Sequence, residues 1–141
     1  MFYHKIKLGL GLVIGMLVLG CSSYGTNGDD NSGPVEAKFS AIQSEIFNKS
    51  CALSGCHDSG SKQAGLNLSA GQAYSNLVNV PSSEKPNILR VKPNDAANSY
   101  LVMKIEGAAG ISGSRMPIGG SLSSEKIDAI KTWINNGAKN D

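Results

Sequence analysis

Three features of the sequence predict a small, mainly α-helical domain. Phe39, Ile42 and Ile46 recur at helical spacing with Phe47 beside them, and polar residues fill the other face of residues 35–50. Ile127, Ile130 and Ile134 form a second stripe in residues 123–136, with Trp133 at its margin. Between these, stretches 70–79 and 98–105 each begin near a serine or asparagine suited to capping a helix.

In chain order, the domain follows a leader and a tether. Residues 1–7 carry Lys5 and Lys7, and residues 8–20 are an unbroken apolar run of 13, too short for a transmembrane helix and the right length for a secretory signal. The run ends in Val18-Leu19-Gly20-Cys21, which resembles a bacterial lipoprotein cleavage box. That resemblance implies a signal peptide over residues 1–20 and lipid on the Cys21 thiol, anchoring the protein to a membrane; an uncleaved N-terminal anchor is the alternative. Residues 21–34 continue as Gly, Ser, Asn, Asp and Thr and predict a flexible tether with a typical reach of about 20 Å. The domain proper is then 35–141. Formal charge is +2 for the whole chain, and without Lys5 and Lys7 it is 11 basic against 11 acidic residues. With no basic patch or recognition motif, nucleic acid is not an expected partner.

Pro34 precedes the first helix, 35–50, which delivers the chain into Cys51. Residues 58–64 are a polar loop, and Gly65-Leu66-Asn67-Leu68 alternates like a short extended segment over an apolar surface. Ser69 is placed to cap a helix over 70–79 that turns Ala73 and Leu77 inward. Residues 81–86 and 93–95 are turns flanking Ile88-Leu89-Arg90-Val91, a short strand or an extended connector. A helix from Asn98 or Ser99 runs through Ile105, with Leu101 and Ile105 on one face. Residues 107–120 hold five glycines and the segment Arg115-Met116-Pro117. The closing helix, 123–136, has Ser123 as N-cap, Glu125 and Asp128 near its start and Gly137 just past its end.

The chemistry concentrates in Cys51-Ala-Leu-Ser-Gly-Cys56-His57. The chain has three cysteines and two histidines; with Cys21 lipidated and His4 in the leader, the domain keeps two cysteines and one histidine within these seven residues. Zinc is disfavoured, because a structural site wants four ligands and three are offered. A Cys51–Cys56 disulfide beside a surface histidine is the simpler alternative. The motif itself resembles a c-type haem attachment site with a four-residue spacer in place of the usual two, and Gly55 supplies the unusual backbone angles a longer loop needs.

From Val35 to Gly137 the chain resembles a small class I c-type cytochrome, which implies a helical domain wrapped around one covalently bound haem c. Cys51 and Cys56 would form the thioethers and His57 would be the proximal iron ligand. The resemblance places the distal ligand at Met116, with Met103 the rival, since Met103 sits two residues from each of Leu101 and Ile105 in a helix and faces elsewhere. Tyr100 and Arg115 are candidates for propionate contacts, solvent being the alternative for Arg115. Many class I cytochromes orient the proximal histidine with a proline carbonyl, but no proline lies between His57 and Val80, so a different carbonyl must serve. The implied function is single-electron transfer between redox proteins of the bacterial cell envelope, periplasmic or outer-membrane associated, without enzymatic activity of its own. A haem sensor or peroxidase-like protein would need an open sixth position. A haem-free lipoprotein binding module would keep the disulfide.

Overall fold

The structure, a computed structural model, describes residues 34–141. The expected signal peptide, Cys21 and all of the tether before Pro34 lie outside the described residues. Helix α1 (Phe39–Ile42) starts at the first residue of its apolar stripe, four residues after the predicted start at 35, because Lys38 is extended (φ −121°, ψ 147°). It continues without a break as a π-helix, Gln43–Cys51. In that wider helix, i→i+5 bonding puts Phe47 a turn after Ile42 and Cys51 a turn after Ile46. Ile42, Ile46 and Phe47 are fully buried, and Cys51 and Ala52 pack against the same core.

Helix α2 (Ala73–Leu77) is shorter than the predicted 70–79. Gly71 at φ +76° breaks the helical path, so Ser69 receives the turn through its carbonyl instead of capping with its side chain. At the other end Val78 turns extended and pairs with Val91. The Pro81–Leu89 pairing makes 88–91 an extended connector, and no β-strand occurs among the described residues. Helix α3 (Tyr100–Glu106) follows Ser99, and helix α4 (Ser124–Asn135) is capped by the Ser123 hydroxyl accepting from the Lys126 amide, as its sequence predicts.

Helices α1 and α4 pack together, and α3 packs on α4. Trp133 is central to that core, at 1% exposed, where its place beside the isoleucine stripe puts it at the margin. The reason is the chain terminus, which folds back over it. Trp133 Nε1 donates to the Lys139 carbonyl (2.8 Å), Tyr74 Oη to that of Ala138 (2.9 Å), and Ser40 N to that of Asp141 (2.9 Å). Phe39 meets the Trp133 and Tyr74 rings at 5.4 and 5.2 Å between centroids. Each such large buried side chain contributes about 1.5–3 kcal/mol of transfer free energy.

Candidate functional site

Cys51, Cys56, His57 and Met116 line one mostly apolar cavity of about 460 Å³, within the usual range for cofactor and ligand sites. The π-helix ends at Cys51, which lies between the core and this cavity, and the turn that follows carries Cys56 and His57. Gly55 in that turn takes φ +81°, a conformation costly for residues with a Cβ. Both thiols are free. Burial pushes the Cys51 thiol up to about 12, with Cys56 adding to the shift, so Cys51 stays protonated at neutral pH. Cys56 is exposed.

His57 is held from both sides. Its amide donates to the Cys51 carbonyl (3.2 Å) and its carbonyl accepts from the Leu68 amide (2.7 Å). The ring Nδ1 lies 3.1 Å from the Gln63 carbonyl and 3.3 Å from that of Leu66. Carbonyls only accept, so Nδ1 carries a proton, and in the neutral ring the Nε2 lone pair is the one offered to a metal. The expectation that a carbonyl other than a proline's orients His57 thus meets those of Gln63 and Leu66. The turn presenting them is unusual, with Lys62, Ala64 and Gly65 all at positive φ. Such a path persists only when its surroundings over-determine it. Arg90 does much of this, donating to the Ala64 and Gly65 carbonyls (3.2 Å each) and to that of Asn76 (2.9 Å), while the Ser83 hydroxyl donates to Ala64 as well.

Leu66 and Leu68 both line the cavity, and Leu68, at 2% exposed, also belongs to the core. Gln43 Nε2 donates to the Leu68 carbonyl (2.9 Å) and so ties the first helix to the strip behind His57. Leu101 and Ile105 of α3 supply further apolar wall.

On the other side, Met116 lines the cavity with Pro117 and Ile118, whereas Met103 does not line it. The Met116 amide donates to the Lys104 carbonyl (2.9 Å). Arg115 lies outside the cavity lining; its Nε donates to the Ile105 carbonyl (2.8 Å), and its stem crosses Gly107 so closely that a Cβ there would sit 3.0 Å from Cδ. The cavity also has a polar part, lined by Ser82, Ser83, Glu84, Arg90, Tyr100 and Lys104. Tyr100 Oη donates to Glu84 (2.9 Å), and Lys104 Nζ lies 3.1 Å from the same carboxylate. Burial, reinforced by Glu84, raises the Tyr100 phenol above its ordinary range against the opposing Ser112 amide.

Sequence reasoning placed Tyr100 here but passed over Glu84, Arg90 and Lys104. For Lys104 a signal existed: it falls three residues after Leu101 and four after Tyr100, on the inward face of α3.

Among the described residues no three His, Cys, Asp or Glu side chains converge as a metal site, and no helix is long and apolar enough to cross a membrane. The donor set does fit a haem. Two thiols and an imidazole with Nε2 available adjoin an apolar space bordered by one thioether, and a porphyrin needs from the protein only axial ligands and attachment points. No protein-family model, curated protein or solved structure matches the chain.

Proposed function

We propose that this chain is a monohaem c-type cytochrome with a class I-like helical fold, carrying single electrons in the bacterial cell envelope and tethered to a membrane through lipid on Cys21. The observation that carries this reading is the shared cavity: Cys51, Cys56, His57 and Met116 border one apolar space, and His57 Nδ1 is taken up by backbone carbonyls. Bound there, a haem iron supplies one-electron chemistry.

The chain's own residues prepare the site for that role. Cys51 and Cys56 are the attachment points. The Gln63 and Leu66 carbonyls hold the proton on His57 Nδ1, fixing the ring and making Nε2 a better donor. Met116 offers a neutral, soft thioether, which favours the reduced state. Leu66, Leu68, Leu101 and Ile105 exclude water and so disfavour added charge. His57 and Met116, were both to hold the group, would leave no position open to oxygen or peroxide, and the protein would then serve as a carrier for redox partners rather than as an enzyme.

The test is an optical spectrum and a denatured mass of protein made in a host with c-type haem maturation. One covalent haem, a low-spin reduced spectrum and a weak red ferric sulfur band abolished by Met116→Ala are expected. A high-spin covalent haem would favour a sensor or peroxidase-like protein instead. Absence of the haem mass would overturn the reading and leave a disulfide-bearing lipoprotein.

A further inference from the structure

The loop that carries Met116 holds its place with little help from the core. Between Ile105 and Leu122 no side chain is buried, and Ile118 is 76% exposed. Gly107, Gly110, Gly113 and Gly119 all adopt positive φ, and the loop contains no helix or strand. A segment this rich in glycine loses much conformational freedom on ordering, and here hydrophobic burial does not offset that loss.

A closed ring of polar contacts holds the middle of this loop. Ser112 N donates to Tyr100 Oη (3.0 Å), and Tyr100 Oη donates to Glu84 Oε2 (2.9 Å). Glu84 Oε2 pairs with Lys104 Nζ (3.1 Å), and Lys104 Nζ donates back to the Ser112 carbonyl (2.7 Å). Both backbone groups of Ser112 are thereby taken. Lys104 is only 8% exposed, so this ammonium has been removed from water to make the ring, a cost that well-packed apolar residues would not incur. The backbone of the same residue accepts from the Met116 amide. Lys104 thus grips the loop at Ser112 through its side chain and at Met116 through its carbonyl.

We infer that the Glu84–Tyr100–Ser112–Lys104 ring is a latch that fixes the loop over the cavity, and that Lys104 is the residue positioning Met116 as sixth ligand. The second half rests on the proposed function; the first concerns the loop alone. Closed, the latch keeps external ligands out of the sixth position. Opened, it leaves Met116 on a glycine-rich tether and exposes that position.

Two readouts on the haem-loaded protein separate these halves: imidazole affinity of the ferric form, and the rate of trypsin cleavage after Arg115 within the loop. Lys104→Leu is expected to weaken or abolish the sulfur band, to tighten imidazole binding by about tenfold or more because the competent open state is no longer rare, and to speed cleavage after Arg115. Tyr100→Phe, which keeps the ring packing and removes the hydroxyl, should shift both readouts in the same direction by less. Ile130→Val, a core change away from the loop, should lower thermal stability and move neither. A wild-type sulfur band with both readouts unchanged in Lys104→Leu and Tyr100→Phe overturns the latch. A missing wild-type sulfur band with faster Arg115 cleavage in the variants overturns Met116 ligation and leaves the latch standing. Shifts of equal size in Ile130→Val reduce the ring to general stability and overturn it as a positioning device.

Discussion

His57 and Met116 border the same cavity but are held there by different kinds of contact. Every backbone partner of His57 lies between Cys51 and Leu68, so the loops that close around it are short and inexpensive to form. Leu68 then anchors that local structure in the apolar core. Met116 lies 59 residues further on, in a loop without buried side chains, and its position depends on polar groups brought from the 81–86 turn and α3. The histidine wall is therefore preorganised by short-range backbone contacts, with Arg90 and Ser83 bracing the turn behind it. The methionine wall is ordered by a partly exposed polar ring drawn from distant segments and is the side expected to open first.

Replacing each proposed ligand tests this contrast most severely. His57→Ala should abolish the low-spin spectrum and lower the yield of haem-loaded protein. Met116→Ala should retain the covalent haem mass while losing the sulfur band, turning high-spin and lowering the reduction potential. Equal loss of haem incorporation in both variants would erase the distinction between the walls.

Leu68→Ala strikes the anchor of the histidine wall. Removing a side chain that is 2% exposed should cost about 2–5 kcal/mol in denaturant unfolding. Gly107→Ala strikes the root of the methionine loop, where φ is +71° and the new Cβ would lie 3.0 Å from Arg115 Cδ. A loss of about 1–3 kcal/mol is expected, with imidazole affinity rising, whereas Leu68→Ala should lower stability by more and raise that affinity by less.

The smallest effect concerns the approach to α3. Lys92 and Asn98 donate to the Asp95 carboxylate and hold it below the usual aspartate range. A depressed folded value means stability that is present above the unfolded value of about 3.9 and lost as pH falls through the folded one. Asp95→Asn should therefore be slightly less stable than wild type at pH 7, and the two should converge in acid unfolding curves once Asp95 is protonated. Parallel curves at all pH values would remove Asp95 from the account.

Part of the site was legible because it is contiguous. Cys51, Cys56 and His57 fall within seven residues, and Gly55 between them takes the positive φ that a wide spacer requires. Helix α4 was legible for the same reason, since its stripe, its Ser123 cap and the glycine beyond its end are all local signals. Helix α2 was overextended because one backbone angle at Gly71 and the pairing of Val78 with Val91 outweighed propensity.

The sequence by itself determined the helical character of the domain and the cluster of thiols and imidazole, both encoded in neighbouring residues. Only the tertiary structure decided that Met116 and not Met103 borders the cavity, that Gln63 and Leu66 supply the carbonyls for His57, and that Trp133 and Lys104 are buried. Each of these depends on segments distant in the chain approaching one another, where desolvation and packing, rather than local propensity, set the free energy.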